Sequence, residues 1–150
     1  MARKTERRHY RAGARQVLFE AYLDTSAFIA FLDKSDSHHL SFKRLFASPP
    51  ALVTSALVIA EGHGWFLRRY DRQRATQFLA FIEALPALTV QAFDMSELSK
   101  VRRTLAGFGD QNLTLADAHG LTIMKDRRSA ICWSTDRHLG LTGVDLAVMA

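Results

Sequence analysis

The chain has 150 residues, of which 48% are hydrophobic and 23% charged, and a formal net charge of +5. That balance fits one ordinary globular domain with a core and excludes an intrinsically disordered chain. A single cysteine, Cys132, excludes an intrachain disulfide and a cysteine-built zinc cluster, and no apolar run approaches the roughly 18 residues of a membrane span.

Residues 1–16 hold Arg3, Lys4, Arg7, Arg8, Arg11 and Arg15 against one acid, Glu6, and so carry the whole charge excess. They lack an apolar period and read as a flexible basic arm, with one domain expected over residues 17–150. Charge without an apolar segment behind it is not a secretory pattern, so a cytoplasmic chain is expected. Residues 17–23 read as a strand that stops at Asp24, and 25–34 as a helix. Ser37 is the expected N-cap of a second helix, ended by Ser48-Pro49-Pro50. A short strand at 52–54 leads to Ser55, which caps a helix running to about residue 69. Asp71 caps the next helix, which stops before Pro86. Residues 88–93 read as a strand, and Asp94-Met95-Ser96-Glu97 fits a capping box. A helix over 114–127, a strand over 129–134 and a weak strand over 144–149 complete the order. Strands alternating with helices predict an α/β fold: a mostly parallel sheet between two helical layers.

In an open α/β sheet, ligands collect beyond the carboxyl ends of the strands. Asp24 and Asp136 stand at such ends, and each is equally compatible with a plain helix N-cap. Glu61 lies four residues from both Leu57 and Trp65, and Asp117 four from both Leu113 and Leu121. That spacing puts each carboxylate on the apolar face of its helix, where it needs a cation or an exposed stripe edge. If the four converge, oxygen donors of this kind suit Mg²⁺ or Mn²⁺. Histidines 38, 39, 63, 119 and 138 form no convergent set in the sequence and read as structural or surface groups. Trp65, Phe66, Phe78, Phe81 and Ile82 recur at helical spacing and read as core or as a contact surface.

At these residues the chain resembles the PIN-domain ribonucleases, and especially the VapC toxins of toxin–antitoxin pairs. The resemblance is carried by Tyr22-Leu23-Asp24-Thr25-Ser26-Ala27, Thr54-Ser55-Ala56-Leu57-Val58-Ile59-Ala60-Glu61, Leu113-Thr114-Leu115-Ala116-Asp117-Ala118 and Ser134-Thr135-Asp136-Arg137-His138. It implies a PIN-like three-layer fold, and a catalytic and metal-holding set of Asp24, Glu61, Asp117 and Asp136. Thr25 and Ser26 would flank the first acid, and Ser134 would support the last. It further implies Mg²⁺- or Mn²⁺-dependent endonucleolytic cleavage of structured RNA (a transfer RNA or a ribosomal RNA loop), a homodimer and a VapB-like antitoxin. A PIN nuclease of RNA maturation or turnover, and an inactive PIN module, are the alternatives. A phospho-receiver domain is disfavoured: no second acid accompanies Asp24, and no Lys follows the strand at 129–134. Gly62 and Gly64 depart from the family pattern inside a helix.

Holding RNA against four acids requires cations, and the candidates are Arg68, Arg69, Arg72 and Arg74, then Arg102 and Arg103, then Lys125, Arg127 and Arg128. Each cluster reads equally as helix-end charge. The basic arm has two readings, an inert appendage or a non-specific RNA tether. As a tether meeting about four phosphates, it adds roughly 3 to the slope of log affinity against log salt. Deleting residues 1–16 is then expected to weaken RNA binding and flatten that slope. Identical salt dependence of the full and truncated chains, measured by fluorescence anisotropy, removes the tether.

Overall fold

The computed structural model describes residues 20–147. The arm at 1–16 lies outside them, as do 17–19 of the first expected strand and 148–149 of the last. The described chain runs β1 (Glu20–Leu23), α1 (Thr25–Leu32), α2 (His39–Ala47), β2 (Ala51–Ser55), α3 (Ala56–Arg69), α4 (Arg72–Ala84), β3 (Leu88–Gln91), α5 (Met95–Gly107), α6 (Leu115–Arg127), β4 (Ile131–Trp133), a 3₁₀ turn (Arg137–Gly140) and β5 (Asp145–Leu146). The sheet order is β3-β2-β1-β4-β5, and every pairing is parallel.

Period-two alternation sorts the strand side chains into two cores. Ala21 and Leu23 of β1, Leu52 of β2 and Trp133 of β4 join Phe28, Phe42, Phe66 and Phe78 from α1 to α4 on one face. Tyr22, Val53 and Cys132 meet Leu121, Ile123 and Met124 of α6 on the other. Phe66, Phe78 and Ile82 are buried and Trp65 and Phe81 pack against them, so this aromatic set is core. No described helix is long and apolar enough to cross a membrane.

The chain leaves β1, builds β2 and β3 on one side, then returns to place β4 on the other. The strand order therefore reverses at β1, and the crevice above β1 and β4 is the switch point at which ligands bind such sheets.

Two local expectations change. The second helix begins at His39, and no side chain caps it; Asp36 instead accepts the His38 N–H at 2.7 Å. At α5, Asp94 Oδ1 accepts the N–H groups of Ser96 and Glu97, but Glu97 returns no bond. Its carboxylate is buried and serves His119 and Lys100 instead. The reciprocal capping box is at α6, between Thr114 and Asp117.

The two departing glycines of α3 separate in role. A Cβ at Gly62 would sit 2.5 Å from Phe78 Cζ, so the α3–α4 contact requires a residue with no side chain there. A Cβ at Gly64 would meet only the end of the Arg68 guanidinium, which can move. Gly62→Ala is therefore expected to cost about 1–3 kcal/mol by overpacking. Gly64→Ala should be neutral or gain up to about 1 kcal/mol of helix propensity. Urea unfolding of the two variants checks the contrast.

Candidate functional site

Asp24 follows β1 directly and serves as the N-cap of α1. Its carboxylate is buried. Oδ2 accepts the hydroxyls of Ser26 at 2.9 Å and Ser134 at 3.0 Å, and more weakly the Ser26 N–H at 3.4 Å. The same two hydroxyl oxygens accept backbone N–H groups from the segment after β4: Thr135 to Ser26 at 3.0 Å, and Asp136 to Ser134 at 2.9 Å. A hydroxyl has one proton, so once both point at Asp24 the 3.2 Å approach of the two oxygens carries no hydrogen bond. Ser134 thus supports the first acid by its proton and the last acid by its lone pair. The Thr25 hydroxyl is buried and has no hydrogen-bond partner among the described residues.

Asp117 occupies N3 of α6. Its Oδ2 accepts the Thr114 N–H at 3.0 Å, and its own N–H donates to Thr114 Oγ1 at 3.1 Å. Every residue of α6 from Ala116 to Met124 is buried, so this helix offers Asp117 no solvent face to turn to. Asp136 caps the 3₁₀ turn, and its Oδ1 accepts the His138 N–H at 2.9 Å, with His138 Nδ1 3.1 Å away. One ligand atom each from Asp117, Asp136 and His138 lie within 4.8 Å of one another.

Asp24 and Glu61 flank this tight group without joining it. Burial pushes the Asp24 carboxyl above the usual range, although the bonds from Ser26, Thr25 and Ser134 oppose the rise. Glu61 is exposed on α3, and its carboxyl is also raised, by desolvation first and then by the charge of Asp24, with Asp117 and Asp136 adding to it. The four expected acids therefore share one electrostatic site. Among the described residues, no Lys or Arg forms an ion pair with any of them. Crowded hard oxygen donors with one imidazole fit Mg²⁺ or Mn²⁺, and Asp117, Asp136 and His138 are the side chains grouped closely enough to hold an ion.

His138 is the residue that the sequence reading missed. The signal was its place two residues after an acid at a strand end, since an N-cap turn brings i and i+2 side by side. His119 keeps its structural assignment. Ser55 Oγ accepts the Leu57 N–H and lies 2.6 Å from His119 Nδ1, while His119 Nε2 lies 2.9 Å from Glu97 Oε2. Beside a carboxylate, Nε2 is the donor, and Nδ1 shares a hydrogen bond with the Ser55 hydroxyl. Lys100 closes the chain, donating to Glu97 at 3.2 Å and to Asp126 at 3.0 Å. Both ring nitrogens of His119 are thereby occupied, in a site shut off from solvent.

The basic candidates divide. Arg127 makes two bonds to Glu20, at 2.7 and 2.6 Å, and is committed to tying α6 to β1. Arg69 and Arg74 both lie 5.0 Å from the Tyr70 ring centre, at the α3–α4 junction. Arg68, Arg102, Arg103 and Arg128 are exposed.

A PIN domain family model matches residues 21–143. Among solved structures, the chain is similar to VapC20 of Mycobacterium tuberculosis, described as a sarcin–ricin-loop-cleaving toxin. The TM-score is 0.76 at 21% identity, over 83% of this chain and 96% of that one. It is also similar to a chain of a toxin–antitoxin complex from Klebsiella pneumoniae (TM-score 0.57, 20% identity, 85% and 97% covered). A third similar structure is VapBC2 of Rickettsia felis bound to a DNA fragment from its promoter (TM-score 0.56, 12% identity, 84% and 93% covered). No curated protein matches the chain.

A buried carboxylate with a raised pKa favours its protonated form, so its ionisation opposes folding as pH rises through the raised value. Asp24→Asn removes that charge and keeps an acceptor for Ser26 and Ser134. The metal-free variant should melt about 3 °C higher than the unaltered protein at neutral pH, roughly the effect of 1 kcal/mol in a chain this size. The gap should close at acid pH, and the Mn²⁺-induced rise in melting temperature should shrink. A calorimetric pH series with and without Mn²⁺ reads all three.

Proposed function

The chain belongs to the PIN-domain family, and from that premise we propose that it is a divalent-cation-dependent endoribonuclease, the toxin of a type II toxin–antitoxin pair. The observation that carries this reading is the gathering of Asp24, Glu61, Asp117 and Asp136 in one site with no Lys or Arg paired to them among the described residues. When bound, Mg²⁺ or Mn²⁺ supplies a water acidic enough to attack at neutral pH and neutralises charge on the phosphate.

The protein's own groups set the geometry. Asp117, fixed by Thr114, and Asp136, fixed by its turn, would hold the ion together with His138. Asp24 would complete the acidic site from the β1 side, with Ser26 and Ser134 fixing its carboxylate so that one oxygen is already satisfied. Glu61, the exposed acid of the four, would orient the attacking water by accepting its proton at a carboxylate oxygen. Ser55 and His119 position this arrangement, since Ser55 caps the helix that bears Glu61 and His119 sits two residues from Asp117.

Structured RNA is the proposed substrate class, supported by the described activity of the M. tuberculosis relative. A VapB-like antitoxin is the proposed partner, supported by the two similar structures that include toxin–antitoxin partners. A homodimer and a cytoplasmic location go with that reading. The family match begins at residue 21, which supports reading 1–16 as an appended arm and 17–150 as the nuclease domain.

Purified protein should cut RNA with Mn²⁺ and stop when EDTA is added. Asp24→Ala and Asp117→Asn should still bind RNA but lose more than about 100-fold in cleavage rate, beyond the upper end of what removing an outer hydrogen-bond partner of a metal ligand costs. Undiminished cutting by both variants overturns the reading. Growth arrest on induction, relieved by the product of a neighbouring gene, separates a toxin from an RNA-processing nuclease.

A further inference from the structure

A second charged feature lies at the other end of α6 from the acidic site. The C-terminal half of α6, the facing side of α5 and residues 142–144 enclose a cleft of about 690 Å³. Its lining includes the apolar Phe108, Met124 and Val144, and Lys100, Arg103, Lys125 and Arg128 against one acid, Asp126. Lys100 is already bonded to Asp126 and Glu97. Arg103, Lys125 and Arg128 form no ion pair among the described residues. Ser129 also lines the cleft, and its buried hydroxyl oxygen has no hydrogen-bond partner among the described residues.

Helix-end charge does not account for this set. The carboxyl end of a helix carries roughly half a negative charge. Lys125 and Arg128 stand at that end of α6 and already exceed what it can balance. Arg103 is on a different helix, inside α5, and answers no helix end. About two positive charges are left over, around a concavity with apolar lining residues and an unused hydroxyl. Concavities of this size with a few polar groups are the usual form of a ligand site.

We infer that this cleft binds the phosphodiester backbone of the RNA, a few nucleotides away from the bond that is cut. The ligand chemistry is a run of phosphate esters, because the free cations come from two helices and are suited to successive phosphates more than to one. Lys125 is eight residues beyond Asp117, so the cleft opens about 12 Å along α6 from the acidic site at 1.5 Å per residue. One RNA can span that distance. The inference rests on the proposed nuclease function, and it gives the acidic site a means of retaining a polyanion that four carboxylates repel.

The test uses the full chain carrying Asp117→Asn, so that binding is read without cutting. Into it are placed Arg103→Ser, Lys125→Ser and Arg128→Ser together, and separately the charge-preserving pair Arg103→Lys and Arg128→Lys. Affinity for a labelled hairpin RNA is measured across a salt series, with circular dichroism melts to confirm folding. The triple variant should bind more weakly and lose about 2 to 3 from the slope of log affinity against log salt, three contacts at roughly 0.7 each in the loop to 0.9 each in the stem. The charge-preserving pair should keep the slope. An unchanged slope in a folded triple variant overturns the cleft. So does saturable binding of adenosine monophosphate that needs the three cations while RNA affinity does not, since the site then serves a free nucleotide. Because binding is scored apart from cleavage, failure of the nuclease assay leaves this result readable.

Discussion

Two serine hydroxyls hold the centre of this molecule together. Ser26 and Ser134 each give their proton to Asp24 Oδ2, and each receives a backbone N–H from the segment that follows β4. A buried carboxylate is costly without compensation, and hydrogen bonds to its charged form are the compensation available here. The same bonds fix where the chain leaves β4, and so where Asp136 stands. One small network therefore sets two acids that are 112 residues apart in the sequence but adjacent across β1 and β4. Truncating either serine would expose the Asp24 charge to a loss of partners and release the other acid together with it.

A second polar network does for the helices what the serines do for the strands. Ser55, His119 and Glu97 form a buried chain from the end of β2 through α6 to α5, reaching the surface at Lys100 and Asp126. Each member is satisfied, which is the condition under which a buried polar chain specifies an arrangement and does not merely weaken a core. α6 is common to all of this. It carries Asp117 in its first turn, His119 in the next and the cleft cations at its far end, and it is buried on every side from Ala116 to Met124. Tyr22 packs against it so closely that a Cβ at Gly120 would fall 2.7 Å from the phenol oxygen, so this approach of helix to sheet depends on a glycine there.

The order of elements and the parallel sheet were legible from alternation of strands and helices; the four acids were singled out by strand ends and by apolar neighbours four residues away, although Glu61 is exposed, off the buried Val58, Gly62 and Phe66 face of α3. What escaped were the features that depend on a distant partner. The sequence around Asp94 contains an acceptable capping box, but Glu97 is drawn off to His119, 22 residues away, where a buried imidazole outweighs a local N–H. Gly62 looks like a helix defect until Phe78 of the neighbouring helix is seen occupying the space. His138 has one local signal, its place two residues after Asp136, but its proximity to Asp117 arises only when α6 and the turn after β4 meet. Arg127 reads as a surface cation because Glu20, its partner, lies 107 residues earlier. Local propensity carries the first kind of information, and it is silent on the second.

Charge separation reconciles a chain that is neutral outside residues 1–16 with the proposed nuclease function. Net charge governs long-range steering, but within about 8 Å, the screening length at physiological salt, the local arrangement decides. An acidic site neutralised by a divalent ion would cease to repel phosphate, and at about 12 Å along α6 screening weakens the pull of its carboxylates on the cleft cations. Cations set beside the acids would instead pair with them and compete with the metal. The distance along α6 keeps the two proposed functions from cancelling: carboxylates at one end are left unpaired by Lys or Arg, and Arg103, Lys125 and Arg128 at the other form no ion pair among the described residues.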